Sequence, residues 1–254
     1  MSGHADNPDA KIAAAVRGFD AELHTQAYAQ THSDNVQLAR LVEFLAPAPG
    51  HLVLDLGTGN GYVAMAVAGA EPACRVIGVD VAAQAIATDV EIASAQGLAN
   101  AAFLVYEGIT LPFADDHFDT AVSRYAFHHF PRPEISLAEL GRTLRVDGRL
   151  ALADAIRDEV DDVDFVNRFQ ALKGDGHVCM QQRDDVIEMV GRHGFEVSEA
   201  FESSIAFERE RSAKYDELLD ATPAPVLHSY SVAVAERHMY LKFRILNLLL
   251  VNRR

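Results

Sequence analysis

The chain has 254 residues and carries 22 basic against 37 acidic side chains, which gives a formal net charge of −15 with histidine neutral. Basic residues never run longer than a pair, so we expect neither nucleic acid nor an anionic membrane as a partner. No stretch approaches the roughly 18 consecutive apolar residues of a membrane span, and the first ten residues lack the pattern of a secretion signal. Cys74 and Cys179 have no CxxC partner, so neither a disulfide framework nor a zinc site is indicated. We therefore expect a cytoplasmic protein with one α/β domain.

Helical and strand patterns alternate along the chain. Before residue 50, apolar residues recur at helical spacing and predict an amphipathic helix with Leu38, Leu41, Val42 and Leu45 on one face. From residue 50 onward, β-rich runs alternate with helical periods and predict strands at residues 52–56, 75–80, 101–107, 118–123 and 149–154. That rhythm is typical of βαβ units around a mostly parallel sheet.

The last hundred residues are less regular. Residues 195–207 and 240–251 indicate two further strands, and residues 208–239 between them indicate a helical insertion. Carboxylates cluster within residues 158–164 without the spacing of a calcium loop, which favours a solvated helix start over a metal site. No linker separates two domains.

The most informative segment runs from Val53 to Tyr62 and reads VLDLGTGNGY. An apolar strand leads into three glycines at alternate positions and then into a predicted helix, so a ligand can approach the main chain near free N–H groups. The dinucleotide fingerprint G-x-G-x-x-G needs its third glycine at position 62, which is Tyr62. Asp55, two residues before the first glycine, would repel a pyrophosphate and favours a ligand with a cationic group. A tight βα turn without a ligand is the alternative.

A second acidic residue ends the next predicted strand. Asp80 closes the run Ile77-Gly78-Val79-Asp80 and lies 19 residues after Gly61. A carboxylate at this place can accept hydrogen bonds from both hydroxyls of a ribose. The glycine loop and Asp80 together make a plain turn the weaker alternative.

These segments resemble the class I S-adenosylmethionine-dependent methyltransferases, particularly the branch with the ubiquinone and menaquinone C-methyltransferases. The resemblance covers residues 12–200 and rests on VLDLGTGNGYVA, VIGVD, TLPFADDHFD, SRYAFHHFPRPEISLAELGRTLR and GRLALAD. It implies a Rossmann-like, doubly wound α/β sheet of about seven strands, mostly parallel with the last strand (240–251) antiparallel, and helices on both faces. It also implies a helical lid over residues 1–49, a donor-binding core over residues 50–157, and acceptor-side helices and closing strands over residues 158–254.

The resemblance further implies S-adenosylmethionine as the cofactor and assigns its contacts. The glycine loop and the acid before it hold the methionine part, with help from the end of the fourth strand, and the acid after the second strand holds the ribose. Glu107, where the family commonly has Asp, faces the adenine amino group; Arg145-Val146-Asp147-Gly148 departs from the family's Lys-Pro-Gly-Gly. The predicted donor contacts are Asp55, Gly57, Thr58, Gly59, Gly61, Asp80, Val81, Glu107, Gly108, Ser123 and Arg124.

Candidate catalytic residues follow the fourth predicted strand. His128 and His129 are the chain's only adjacent histidine pair, and adjacent side chains diverge, which disfavours a metal site. Two roles stay open, a cap of the local turn and a general base, because histidine titrates near neutral pH. By resemblance, Tyr28 lies in the lid near the sulfonium; packing within a helix is the alternative. His177 indicates a surface-loop residue rather than a substrate ligand.

The leading hypothesis is an S-adenosylmethionine-dependent methyltransferase that moves a methyl group to a carbon, oxygen or nitrogen of a small-molecule acceptor. In-line positioning can supply about 7–11 kcal/mol of the barrier reduction, so the chemistry needs no catalytic triad. The alternatives are an enzyme of the same fold that performs a cyclisation or rearrangement, and a non-catalytic S-adenosylmethionine-binding module. The expected partner is the small-molecule acceptor, no metal is expected, and a homodimer is left open.

Overall fold

The strands and helices follow the alternation seen in the sequence. The structure is a computed structural model that describes residues 7–22 and 35–254, apart from the side chains of residues 19–22. In this part of the chain the strands are β1 (Leu52–Leu56), β2 (Arg75–Asp80), β3 (Ala101–Val105), β4 (Phe118–Arg124), β5 (Leu144–Ile156), β6 (Phe195–Glu210), β7 (Ala233–Val234) and β8 (His238–Asn252). The helices are α1 (Pro8–Glu22), α2 (Asn35–Leu45), α3 (Tyr62–Ala70), α4 (Ala83–Ala95), α5 (Pro133–Thr143), α6 (Phe165–Ala171), α7 (Arg183–Arg192), α8 (Ala213–Asp220) and α9 (Ala224–Ser229), with a 3₁₀ turn at Phe127–His129.

The strands of the described residues join one sheet in the order β3-β2-β1-β4-β5-β8-β6, with the short β7 paired to β8. Pairs among β1 to β5 are parallel, whereas β8 is antiparallel to β5, β6 and β7. The strand order reverses between β1 and β4, so the carboxyl ends of these two strands flank a crevice where open α/β sheets bind ligands. The predicted Rossmann-like sheet, mostly parallel with an antiparallel last strand, is confirmed.

Helices cover both faces of the sheet, as predicted. Leu54 of β1 packs with Leu137 and Leu140 of α5 on one face, and its neighbour Val53 packs with α2 and α3 on the other. This alternation follows from the two-residue period of a strand. On the second face, Leu41 of α2 is fully buried. Within the segment predicted as a lid, α2 is therefore part of the helical layer on the sheet, and the lid itself stays a prediction.

The two longest strands extend past the rest of the sheet. Pairing between β5 and β8 ends with Ile156 opposite Arg244, but β6 and β8 stay paired as far as Glu210 opposite His238. A third buried cluster packs against this extension and includes Phe165, Phe169, Tyr215, Tyr230 and Phe243. The predicted helical insertion at 208–239 is therefore too long: α8 and α9 lie within it, but its ends belong to β6 and β8. Exposed charged residues alternate with half-buried residues at the end of β6, so a search for apolar runs does not detect the strand there.

The acidic segment at residues 158–164 leads into α6 as predicted, but its central carboxylate is buried rather than solvated. Asp161 accepts hydrogen bonds from Phe165 N at 2.7 Å, from Val166 N at 3.0 Å and from the Tyr230 hydroxyl at 2.9 Å. The first N–H groups of a helix have no partner within the helix, and a carboxylate satisfies them. Asp161 thus fixes the start of α6, whose far end lies near the cavity described next.

Candidate active site

The glycine loop after β1 is fixed to β2 by backbone hydrogen bonds. Gly57 N and Thr58 N both donate to Val79 O, at 2.9 and 3.1 Å. Gly57 has φ +73°, and a Cβ at this position would lie 2.4 Å from the Cβ of Ala126. Only glycine fits where the ends of β1 and β4 come this close. Gly57, Thr58 and Gly59 line a large cavity at the switch point, whereas Gly61 lies outside its lining and precedes α3.

Asp55 lies behind the loop and outside the cavity lining. Its Oδ2 accepts hydrogen bonds from Thr58 Oγ1 at 2.8 Å and from Ala64 N at 3.0 Å. Burial raises the pKa of Asp55 to about 6, and these two hydrogen bonds oppose that shift. The side chain therefore fastens the loop to the first turn of α3. The sequence analysis had instead placed Asp55 in direct contact with the ligand.

Asp80 ends β2 and lines the cavity. Gly59 N donates to its Oδ2 at 2.9 Å and Ala82 N donates to its Oδ1 at 3.0 Å. Burial raises the pKa of Asp80, and these backbone hydrogen bonds lower it again. Two fixed donors hold the carboxylate in one orientation, while each oxygen keeps acceptor capacity for a ligand. Val81, the next residue, also lines the cavity.

The segment after β3 places Glu107 differently from the sequence-based expectation. Glu107 is exposed and lies outside the cavity lining, and its carboxylate accepts hydrogen bonds from Ile109 N and Thr110 N. Its side chain therefore closes a local turn. Tyr106 and Gly108 on either side of it do line the cavity. The extra methylene of Glu, compared with the Asp of the family pattern, allows the carboxylate to reach back to its own turn.

Asp89 of α4 is a buried carboxyl behind the same loop. Its side chain is 0% exposed, and neither oxygen has a hydrogen-bond partner among the described residues. A Cβ placed on Gly61 would lie 3.1 Å from its Cγ. Burial, and then the charges of Asp55 and Asp80, raise the pKa of Asp89 to about 8. The folded protein therefore keeps this carboxyl protonated at neutral pH.

We expect Asp89→Asn to stabilise the protein increasingly as the pH rises. An unfolded aspartate titrates near about pH 3.9, so below that value both states hold the proton and the carboxyl destabilises neither. As the pH rises from there to about 8, the unfolded chain ionises and the folded chain does not, which lowers the free energy of unfolding by up to about 1.4 kcal/mol per pH unit. Urea unfolding across this range measures the difference between variant and parent. Parallel pH curves for the two proteins would refute the argument.

Arg124 ends β4, and its side chain lines the cavity. Its Nε donates to Gln37 Oε1 at 2.8 Å, and its guanidinium lies 4.1 Å from the ring centre of Tyr125 and 5.2 Å from that of Tyr62. These contacts hold a positive charge at the wall next to the glycine loop. Ser123, the preceding residue, is buried and lies outside the lining.

His128 forms a short contact with a carboxylate that sequence reasoning did not identify. Its Nδ1 lies 2.6 Å from Oδ1 of Asp154, and its backbone N donates to Oδ2 of the same residue at 2.9 Å. Because a carboxylate accepts hydrogen bonds, this contact assigns the hydrogen to Nδ1 and leaves the lone pair of the neutral ring on Nε2. His128 lines the cavity and Asp154 does not. The pair has the arrangement of a general base and the group that orients it.

Three histidine rings cluster at this place. The ring centres of His128 and His129 lie 4.2 Å apart, and that of His177 lies 5.7 Å from His128. Burial, followed by the charge of His128, lowers the pKa of His177 to about 3 and that of His129 well below its usual range. Both rings are therefore neutral near pH 7. No group of His, Cys, Asp and Glu side chains within residues 7–18 and 35–254 is arranged to hold a metal ion.

The expectation of a surface loop at His177 is wrong. The residue is 7% exposed, and its Nε2 lies 2.8 Å from Asn167 Oδ1. Val178 N and Cys179 N donate to the carbonyl of His128 at 2.9 and 3.2 Å, which folds this segment against the 3₁₀ turn. A glycine-rich stretch is typical of a loop, which is why the sequence suggested an exposed histidine. The contact with the carbonyl of His128 joins distant parts of the chain, so the residues around His177 do not indicate it.

The cavity runs along the carboxyl end of the sheet in the order of the strands. The loops after β2 and β1 provide one wall, the segment after β4 the middle, and β5, β8 and β6 the other wall, with α1 and the end of α6 above. Its empty volume is about 1280 Å³, including the opening to solvent. The predicted residues that it brings together are Gly57, Thr58, Gly59, Asp80, Val81, Gly108, Arg124, His128 and His129. Tyr28 lies outside the described residues.

Several lining residues were not identified from the sequence. Tyr106, which lines the cavity, was part of a predicted strand. Asp154 lies outside the lining but orients His128, and it lies near the end of β5, at the same sheet edge as Asp80. The rule that carboxyl ends of parallel strands meet could have found Asp154. No sequence signal indicates the far wall, whose members are Gln170, Lys173, Asp175, Met180, Phe207, Arg209 and Ile245.

Comparison with known proteins decides the family. Residues 48–202 match the family model described as a methyltransferase domain. The chain belongs to the methyltransferase-domain family. It is 38% identical over 130 residues to the uncharacterized methyltransferase YcgJ of Bacillus subtilis, covering 50% of each chain, and 35% identical over 102 residues to a demethylmenaquinone methyltransferase of Thermus thermophilus, covering 40% of this chain and 46% of that protein. The chain thus spans about half the length of these curated relatives.

Solved structures support the fold of this methyltransferase domain. The crystal structure of YcgJ superposes with a TM-score of 0.75 at 22% identity and covers 86% of this chain and 99% of that one. The [4+2]-cyclase SpnF superposes with a TM-score of 0.61 at 20% identity over 85% of this chain and 80% of that one. The fold is therefore that of the class I methyltransferases. None of the helices in the described ranges is long and apolar enough to cross a membrane.

Proposed function

We propose that the chain is an S-adenosylmethionine-dependent methyltransferase that methylates a small-molecule acceptor. The observation that carries this proposal is the single cavity that Asp80 and the glycine loop share with His128. Donor and acceptor must meet in one chamber for an in-line transfer, and this cavity offers a wall to each.

The cavity wall formed by the loops after β1 and β2, here called the loop wall, has residues that fit the cofactor. Asp80 offers acceptor atoms for a diol, and the backbone of Gly57 and Gly108 lines the cavity beside it. Tyr106 and Val81 provide an apolar wall for a planar base. Arg124 provides a cation for a carboxylate. When bound, S-adenosylmethionine would supply a methyl group on a positively charged sulfur, and the neutral thioether S-adenosylhomocysteine would be the leaving group.

His128 then acts on the acceptor. Asp154 holds the ring with its hydrogen on Nδ1, so Nε2 accepts the proton that a hydroxyl or acidic C–H group loses as it is methylated. His129 and His177 stay neutral and keep this part of the cavity free of competing positive charge. An acceptor that is already nucleophilic at working pH would need no such base, and the oriented pair therefore favours an acceptor that carries an acidic proton.

The test is incubation of the enzyme with a panel of small phenols, enols and amines and S-adenosylmethionine, read out by mass spectrometry. We expect one acceptor class to gain the mass of one CH₂ group, with an equal amount of S-adenosylhomocysteine released. Since SpnF shares this fold and is named a cyclase, product mass also separates the second candidate. A product isomeric with its substrate, with no S-adenosylhomocysteine, would support cyclisation or rearrangement. Saturable donor binding with no turnover on any acceptor class would support a binding module.

A further inference from the structure

A charged side chain occupies an inward position on the outer strand of the cavity. Along the extended part of β6, residues alternate between exposed and half-buried, and Ile205, Phe207 and Arg209 share the half-buried face. That face packs on the buried side chains of β8, where Met239 lies opposite Arg209 and Leu241 opposite Phe207. A strand with one apolar face normally places its charges on the other face. Arg209 departs from this pattern, and it lines the cavity.

The hydrogen-bonding capacity of Arg209 is largely unused. Its Nη1 donates to Glu208 O at 3.2 Å, its Nη2 lies at the long distance of 3.5 Å from Gln170 Oε1, and its guanidinium lies 5.6 Å from the ring centre of Phe207. Its Nε is buried and has no hydrogen-bond partner, and no ion pair to Arg209 occurs among the described residues. A buried N–H group normally has a hydrogen-bonding partner, because leaving such a donor unpaired is costly.

The charges around Arg209 leave it uncompensated. Lys173, the other cation of this wall, pairs with Asp175 at 2.8 Å. Burial disfavours ionisation of Asp175, but the charge and hydrogen bond of Lys173 hold its pKa at about 2, so this pair is neutral as a unit. Glu208, the neighbour of Arg209 on the strand, is on the exposed face, where its Oε1 accepts a hydrogen bond from the Tyr240 hydroxyl at 3.0 Å. The far wall of the cavity therefore carries one net positive charge, that of Arg209.

We propose that the methyl acceptor carries an oxyanion, a carboxylate or a phosphate, that the guanidinium of Arg209 binds. Each Nη atom of the guanidinium carries two N–H groups and makes one protein contact, so both keep a donor for such a group, and Gln170, which is 7% exposed, supports the guanidinium from α6. Phe207, Met180 and Ile245 line the same wall and receive the apolar body of the acceptor. This inference rests on the proposed function, since it describes the acceptor of that same reaction.

The test uses ¹⁵N-labelled full-length protein saturated with S-adenosylhomocysteine, and NMR titrations with benzoate, phenyl phosphate and benzamide. These probes share a ring and differ in charge. We expect one or both anions to bind about tenfold or more tightly than benzamide, because hydrogen bonds to a charged group are worth more than those to a neutral one. The stronger of the two anions identifies carboxylate or phosphate. Equal binding of all three probes, or preference for benzamide, would overturn the proposal.

Two variants assign the preference to this side chain. Arg209→Met should abolish the preference for the anion, and Arg209→Lys, which keeps the charge but loses the fork, should retain part of it. Arg211→Met is the matched control, because Arg211 lies outside the cavity lining and pairs with Asp216 at 3.0 Å. Loss of the preference in the control, or its persistence in Arg209→Met, would overturn the assignment. If the parent protein fails to bind S-adenosylhomocysteine at all, the proposed function fails instead, and the two failures are therefore distinguishable.

Discussion

Replacing Asp80 with alanine is expected to weaken the binding of S-adenosylhomocysteine by about a hundredfold or more. Each hydrogen bond to a charged group contributes about 1.5–3 kcal/mol, and a ribose offers two hydroxyls to this carboxylate. The substitution also removes the acceptor that Gly59 N and Ala82 N share, which loosens the glycine loop. Isothermal titration calorimetry of the parent and the variant measures the loss.

Asp89→Asn is the matched control for this experiment. Asp89 is another buried carboxyl behind the loop, but it lies outside the cavity lining and bonds to no described residue. Its substitution should leave the affinity for S-adenosylhomocysteine within about twofold of the parent. An unchanged affinity in Asp80→Ala, with the variant shown to be folded by circular dichroism, would sink the ribose assignment. An equal loss in both variants would show that the packing behind the glycine loop, not a direct contact of Asp80 with the ligand, governs binding.

His128→Gln is expected to lower kcat by about 10²- to 10⁴-fold on an acceptor with an acidic proton, since general-base catalysis typically contributes this much. Glutamine keeps a polar side chain of similar size but cannot take up a proton near neutral pH. Affinity for S-adenosylhomocysteine should not change, because His128 lies beyond the loop wall of the cavity. A kcat within about threefold of the parent would show that His128 is not a general base and only caps the local turn.

Asp154→Asn tests the same pair from the other side. Asp154 is a positioning residue, so we expect kcat to fall while KM changes little. A merely structural role would not alter the ring's tautomer, which ¹⁵N NMR of labelled histidine reports directly. The parent should show the hydrogen of His128 on Nδ1, and the variant should show a mixture of tautomers. A parent ring with its hydrogen on Nε2 would contradict the proposed base.

The cavity wall that we propose for the donor could be predicted from the sequence because its signals are local. Consecutive residues predict the strand that leads into Gly57-Thr58-Gly59. The alternation of strands and helices predicts that Asp80 ends the next strand. Even there, the sequence did not distinguish a residue that touches the cavity from one that supports it. The carboxylates of Asp55 and Glu107 accept hydrogen bonds from nearby backbone N–H groups.

The part of the cavity that we propose for the acceptor could not be predicted, because its contacts join distant parts of the chain. His128 meets Asp154 across neighbouring strands, and His177 reaches the cluster only because its segment folds back onto the turn after β4. Arg209 looks like one more charge in the run Glu208-Arg209-Glu210-Arg211. Only the strand register shows that it faces inward. Side-chain direction in a charged strand depends on pairing, which composition does not reveal.

Donor binding in this cavity is tested by a calorimetric titration of the full chain with S-adenosylhomocysteine. A cavity that places Asp80, the glycine loop and Arg124 on one wall predicts saturable binding of one molecule per chain, and competition between S-adenosylhomocysteine and S-adenosylmethionine for that site. NADH should not compete, because Tyr62 replaces the third glycine of a dinucleotide fingerprint. No heat of binding for either ligand at millimolar concentration would contradict the account.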